Sequence, residues 1–128
     1  MKPLLQYLSK APCSTQTQED ICTYYKSAQV GDLMCIRNTQ HQIITYRFFR
    51  IDRISRGRIY PPSASGESSF WAKSGANCFH PHGQTTLVVP TVAITEAADQ
   101  YEMRSSGVSA VQLTTDEARA LLGGQAAA

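Results

Sequence analysis

Residues 43–54 constrain the fold more than any other segment, because they form a long run rich in β-branched and aromatic residues. The apolar positions in this run are Ile44, Tyr46, Phe48, Phe49 and Ile51. Their alternation moves from even to odd numbers at Phe48 and Phe49. A change of parity inside one strand is what a β-bulge or a sharp bend produces, and small barrels need such bends to close. The segment therefore predicts a bent strand of a small barrel.

Further short strands follow from turn signals around this run. Residues 55–58 read Ser-Arg-Gly-Arg and predict a hairpin turn, in which Gly57 adopts a positive φ. Residues 33–36, 59–60, 70–71 and 86–89 complete five predicted strands, and Pro61 and Pro90 end two of them. We expect one core formed by the apolar positions Ile36, Ile44, Phe49, Ile51, Ile59, Leu87 and Val89.

Helices are predicted on both sides of the strands. Residues 1–29 read as a helical segment with a short first helix after Pro3 and a second that begins near Thr17, where Asp20 makes a weak capping box. Residues 91–128 read as a helical tail, with Thr95 and Thr115 as N-caps and Gly123 as the final stop. The prediction is one α+β domain over residues 1–128, with a small bent antiparallel five-stranded β-barrel at 30–90.

Composition excludes several classes of protein. Hydrophobic residues make up 42% of the chain and charged residues 17%, as in ordinary globular domains. No apolar run approaches the roughly 20 residues that cross a bilayer, and polar residues interrupt the apolar patch at the start, which is unlike a secretory signal. With four cysteines and no export signal, reduced thiols and a cytoplasmic location are expected.

The most informative chemical feature is a cluster of arginines. Residues 37–58 contain six arginines and a single acid, Asp52, whereas acids predominate from residue 95 onward. Arginine guanidinium groups donate paired hydrogen bonds to phosphates, and aromatic rings stack with unstacked bases. A positive ridge beside exposed rings therefore predicts a binding surface for nucleic acid or a partner protein. The candidate residues are Arg47, Arg50, Arg53, Arg56, Arg58, Tyr60, Trp71 and Lys73. An acidic protein surface as partner, or a merely solvated strand face, are the alternatives.

The strand region resembles a known group of small barrels. The resemblance lies in the order of the segments Val30-Gly31-Asp32, Arg50-Ile51-Asp52-Arg53-Ile54, Gly57 with Ile59, Phe70-Trp71-Ala72-Lys73-Ser74-Gly75 and Leu87-Val88-Val89-Pro90. Over residues 30–90 this order is similar to the KOW/Tudor-type β-barrels of phages and mobile elements. The resemblance implies a partly open five-stranded barrel without catalytic residues. Barrels of this kind serve as nucleic-acid readers, protein docking modules and inhibitors.

A cysteine and two histidines form the one metal-like motif. Cys78, His80 and His82 would point the same way in an extended segment, and Cys35 or His41 would be a fourth ligand for zinc. The paired Cys/His signature of zinc modules is missing, and residues 81–83 also suit an ordinary turn, so we expect a turn and no cofactor. The Cys78–His80, Cys78–His82 and Cys35–His41 pairs lack a catalytic signature, which argues against an enzyme.

These observations lead to one preferred function and two alternatives. We expect a non-enzymatic accessory protein of a phage or mobile element that binds nucleic acid, or a nucleic-acid-handling complex, through its arginine-rich hairpin. One alternative is a protein–protein inhibitor of a host defence enzyme, of the anti-CRISPR type. The other is a zinc-stabilised interaction module that uses Cys78, His80 and His82.

Overall fold

The computed structural model describes residues 12–40, 43–80, 83–100 and 111–127. The predicted helix after Pro3 lies outside these residues. The helices are α1 (Gln18–Ser27), α2 (Val92–Gln100) and α3 (Thr115–Ala127), and the strands are β1 (Leu33–Gln40), β2 (Ile43–Arg50), β3 (Arg53–Ser55), β4 (Arg58–Tyr60), β5 (Phe70–Trp71) and β6 (Thr85–Val88). Short 3-10 helices cover Pro12–Thr15 and Ser63–Ser65.

The strands form two antiparallel sheets of three strands each, in the orders β2-β1-β6 and β3-β4-β5. Neither sheet closes on itself, so the predicted five-stranded barrel is wrong. The chain is α+β: the two sheets pack together, α2 and α3 cover the outer side of the first sheet, and α1 packs on its other side together with the second sheet. An isolated bridge between Ala76 and Thr86 joins β6 to the segment after β5.

The parity change in β2 has a different cause from the predicted bulge. The register between β1 and β2 runs without interruption from Leu33–Arg50 to Gln40–Ile43. Phe48 packs in one core cluster and Phe49 in the other, and both are buried. Both faces of the strand are thus covered, and covered strands carry apolar residues at both parities. The chain bends later, at Ile51, whose N–H donates to the Asp32 carbonyl before Asp52 bonds Tyr60 in the second sheet.

Two hydrophobic clusters lie on opposite sides of the first sheet. One joins that sheet to α2 and α3 and contains Leu33, Cys35, Ile44, Tyr46, Phe48, Val88, Ile94, Ala97 and Ala118, with Cys13. The other joins it to α1 and the second sheet and contains Ile21, Tyr25, Met34, Ile36, Phe49, Ile51, Ile59, Phe70, Ala72 and Leu87. The predicted core positions are buried, except Val89, which is half-buried, but they do not share one core.

The caps of the helices are partly as predicted. Thr17 and Asp20 form a reciprocal capping box at the start of α1, with N···O distances of 3.1 and 2.9 Å, which confirms that prediction. The prediction for α2 is wrong, because the Thr91 hydroxyl accepts from the Ile94 N–H and the helix begins three residues before Thr95.

The two ends of α3 also differ from the prediction. Thr114, rather than Thr115, accepts from the Glu117 N–H, and the Glu117 carboxylate accepts from the Thr114 N–H in return. These hydrogen bonds make a capping box one residue earlier than expected. The helix continues through Gly123 to Ala127, so Gly123 does not end it. Across the described helices, none combines the length and apolar character needed to span a membrane.

Candidate nucleic-acid interface

The β3–β4 hairpin has a two-residue turn formed by Arg56 and Gly57. Their φ angles are 53° and 76°, and positive φ at both central residues defines a type I′ turn. This turn matches the right-handed twist of the flanking strands, where Ser55 lies opposite Arg58 and Arg53 lies opposite Tyr60. The predicted hairpin and the positive φ of Gly57 are confirmed.

Pairing sorts the residues of the second sheet onto two faces. Residues directly opposite each other share a face, so Arg53, Tyr60, Arg58 and Trp71 lie on one side. The other side carries Ile59 and Phe70, both completely buried against the first sheet. Burial of that apolar side leaves the arginines and the two polar-tipped aromatic rings on the outward side.

Cations lie over the aromatic rings of this outward side. The Cζ atom of Arg53 is 4.0 Å from the centroid of the Tyr60 ring, and that of Arg58 is 4.8 Å from the centroid of Trp71. The Nζ atom of Lys73 is 5.6 Å from the same indole. All three distances are within the range of cation–π attraction. We call this surface the cationic face, formed by Arg53, Arg56, Arg58, Tyr60, Trp71 and Lys73.

The charge of the cationic face is not neutralised within the part of the chain that the structure describes. The ion pairs found there join Arg47 to Glu67 and Arg119 to Asp99 and Asp116, and none involves the cationic face. Arg53, Arg56 and Lys73 are exposed and Arg58 is half-buried. A face with several unpaired cations attracts anions.

Two of the predicted binding arginines lie elsewhere. Arg47 bonds the Glu67 carboxylate at 2.6 Å and the Ser65 carbonyl at 3.1 Å, and only 20% of its side chain is exposed. Arg50 is exposed at the end of β2 and donates to the Gly31 carbonyl at 3.2 Å. The structure therefore groups the four arginine and lysine residues of the cationic face and leaves Arg47 and Arg50 outside it.

A cleft of about 380 Å³ borders the cationic face. Its lining includes Asp52, Arg53, Arg58, Tyr60, Ser69 and Phe79. We call it the hairpin cleft. Sequence reasoning missed Ser69 and Phe79, because neither belongs to a charged or periodic pattern.

A second cleft, of about 320 Å³, lies on the turn side of the hairpin. Trp71, Arg56 and Lys73 line it together with Ile54 and with Lys26 from α1. Lys26 is exposed and is the fourth cation near Trp71, after Arg56, Arg58 and Lys73. Sequence reasoning also missed this residue, since nothing in the helical pattern of α1 indicates that its last turn meets the hairpin.

The metal-like motif does not form an extended segment. The Asn77 side-chain oxygen accepts from the N–H groups of Phe79 and His80, at 2.9 and 3.2 Å, and so bends the chain after it. Cys78 is half-buried and His80 exposed, while His82 lies outside the described residues. Among the residues that are described, no three metal-ligating side chains come together. The absence of bound zinc stays a prediction.

Cys35, which the sequence offered with His41 as a possible catalytic pair, lies deep in the core. Cys35 is fully buried, and burial raises the pKa of its thiol well above the ordinary value. A buried neutral thiol is a poor nucleophile. His41 lies outside the described residues.

Comparison of the chain with models of protein families, with curated proteins and with solved structures finds no match.

Proposed function

We propose that this chain binds nucleic acid through the cationic face and performs no catalysis. The observation that supports the proposal is that three cations lie over two half-buried aromatic rings on the outward side of the second sheet. Guanidinium groups donate forked hydrogen bonds to phosphates, and ring or guanidinium planes stack with bases. The same few residues thus offer both kinds of contact that a nucleic acid needs.

Single strands suit this surface better than duplex does. The second sheet has strands of only two or three residues, and the residues of the cationic face lie on these strands and their turns, not on a helix that could enter a major groove. Stacking requires bases whose faces are free, which single strands provide. Binding of this kind has little preference for sequence and depends strongly on salt.

The test is a salt titration of binding to labelled single-stranded DNA and RNA, followed by fluorescence anisotropy. Affinity should fall steeply between about 50 and 200 mM salt, and Arg53→Ala and Arg58→Ala should each lower the logarithmic slope by about 0.7. Arg50→Ala is the matched control, because Arg50 is an exposed arginine outside the cationic face. Absence of binding, or an equal effect of Arg50→Ala, would overturn the proposal.

A second candidate function is inhibition of another protein through the same region. Phe79 and Ile54 are exposed apolar residues that line the two clefts beside the cationic face, with 66% and 36% of their surfaces accessible. Arginines surrounded by exposed apolar groups are typical of binding hot spots between proteins. This candidate predicts a stoichiometric protein complex that survives nuclease treatment, together with negligible affinity for free nucleic acid.

A further inference from the structure

The hairpin cleft contains polar groups that have no partner. Ser69 is 2% exposed, and its Oγ atom makes no hydrogen bond; the Nε atom of Arg58 is also buried and unpaired. Buried polar groups are almost always hydrogen-bonded, so unpaired groups beneath the wall of a cleft indicate a place where a small local rearrangement would let a ligand satisfy them. The pair supplies a hydroxyl that can donate or accept and a guanidinium N–H that donates.

An exposed aromatic ring borders the same cleft, on a backbone that is held by hydrogen bonds. Phe79 is 66% exposed, yet the backbone on which it sits is bonded to Asn77, a residue only 5% exposed. The Asn77 amide donates to the Thr85 hydroxyl at 3.1 Å, and its oxygen accepts from the Ser68 hydroxyl at 3.1 Å. An exposed ring on a fixed backbone offers a stacking surface with little loss of entropy on binding.

We propose that the hairpin cleft holds one nucleobase, unstacked from a single strand. The base stacks on Phe79, its polar edge meets Ser69, and its phosphates contact Arg53 and Arg58. The volume of about 380 Å³ lies near the lower end for ligand pockets, which fits one base and not a helical segment. This inference rests on the proposed function and assigns a role to residues outside the cationic face.

The lining favours a base over a free phosphate or another small anion. Asp52 and Glu67 both line the cleft; the Glu67 carboxylate is paired with Arg47, whereas the Asp52 carboxylate is in none of the ion pairs of the described residues and repels a free anion held beside it. Carboxylates do, however, accept hydrogen bonds from the amino groups of bases. The lining thus combines a carboxylate that can accept from base amino groups with Arg53 and Arg58, which can donate to phosphates, and this combination matches a base joined to its phosphates.

The experiment compares two single-stranded oligonucleotides of equal length and charge, one with bases and one built wholly of abasic nucleotides. Wild-type protein should bind the oligonucleotide with bases roughly tenfold or more tightly. Phe79→Ala and Phe79→Leu should remove most of this preference, whereas Phe79→Tyr should keep it and Ser69→Ala should reduce it. Affinity for the abasic strand should not change in any of these variants.

The matched control is Val92→Ala, which truncates another exposed apolar residue, on α2, and should leave both affinities unchanged. Circular dichroism confirms that each variant is folded. Equal binding of the two oligonucleotides by the wild type would overturn base stacking at both the cleft and the cationic face. A preference for the strand with bases that Phe79→Ala leaves intact would overturn the base site and leave the proposed function standing. Binding of neither would overturn both, and an equal loss for both strands in Phe79→Ala would show that Phe79 is only structural.

Discussion

Arg58 lies over the indole ring of Trp71, with its Cζ atom 4.8 Å from the ring centroid, and the two residues are directly opposite each other on β4 and β5. The contact joins the hairpin to the third strand of the second sheet on its outward side. On the inward side, Ile59 and Phe70 make the equivalent cross-strand pair in the core. The cationic face is therefore ordered by the same register that orders the core beneath it.

We predict that Arg58 and Trp71 stabilise the fold together. In a double-mutant cycle of Arg58→Ala and Trp71→Leu, the coupling energy should be about 0.5–1 kcal/mol, the usual strength of a cation–π contact at a partly exposed site. Urea denaturation measures it. The cycle of Trp71→Leu with Arg50→Ala is the control and should be additive, because Arg50 makes its hydrogen bond to Gly31 instead. A coupling indistinguishable from that control would mean that the contact contributes nothing to stability.

Two glycines with nearly equal φ should respond differently to alanine. Gly57 (φ 76°) has open space where a Cβ would lie, so Gly57→Ala should cost only the left-handed strain, roughly 1–2 kcal/mol. At Gly75 (φ 78°), the Cβ would lie 2.8 Å from the Leu87 carbonyl oxygen, which adds an overpacking cost of roughly 1–3 kcal/mol.

Urea midpoints of the two variants test this order of stabilities. Gly123→Ala is the control in the opposite direction, since Gly123 lies in α3 with open space around it and alanine favours helix by up to about 1 kcal/mol. Equal losses at Gly57 and Gly75 would show that β6 can move away from the loop after β5.

Local chemistry could be predicted from the sequence, and pairing between distant segments could not. The capping box of Thr17 and Asp20 and the turn of Arg56 and Gly57 depend on residues within a few positions of each other. Burial of the apolar positions was also predictable, because apolar side chains are driven out of water whichever element covers them. What covers them depends on segments far along the chain, which leave no trace in the local pattern.

The predicted barrel failed for that reason. Phe48 and Phe49 are adjacent and both buried. Apolar residues at both even and odd positions fit two structures: a bulged strand with one covered face, or a straight strand with two covered faces. The second explanation holds, because α2 and α3 cover one face of the first sheet and the second sheet covers the other.

The candidate site was predictable in its charges but not in its cleft. Arg53 and Arg58 stand out in a basic run, whereas Phe79 lies between Cys78 and His80 and belongs to no charged or periodic pattern. A usable signal was present: Asn77 precedes the aromatic residue by two positions, and Asn at that spacing bonds the backbone and fixes a turn. The unpaired Oγ of Ser69 has no signature in the sequence at all.

Arg47 should act in stability and not in binding. Its truncation leaves the Glu67 carboxylate and the Ser65 carbonyl without their donor, so Arg47→Ala should cost about 1.5–3 kcal/mol, the value of hydrogen bonds to charged groups. Arg50→Ala, at an exposed position, should stay within about 0.5 kcal/mol of wild type. Urea denaturation measures both, and the salt slope of binding should be unchanged in Arg47→Ala. A stable variant with a reduced slope would instead place Arg47 in the interface.

Alkaline pH should destabilise the fold through three buried acids of the core. Burial raises the pKa values of Tyr25, Cys35 and Tyr46 above the ordinary 9.0 of a thiol and 10.0 of a phenol. Tyr25 is further held neutral as a donor to the Val88 carbonyl at 2.6 Å. A raised folded-state pKa means that the unfolded chain loses its protons first. The contribution of these three groups to the free energy of unfolding is therefore fully present below about pH 9 and falls as the pH rises further.

Each such group should contribute a slope of about 1.4 kcal/mol per pH unit once the unfolded chain has lost its proton. Urea denaturation at a series of pH values up to about 10 measures the slope, in which Cys35 titrates first. In Cys35→Ala, the slope of the free energy of unfolding against pH should be shallower than in the wild type by the contribution of about one proton. Phe49→Leu is the control, because it weakens the same core without removing an ionisable group and should keep the wild-type slope. A Cys35→Ala slope equal to that of wild type would mean that the thiol titrates alike in the folded and unfolded chains.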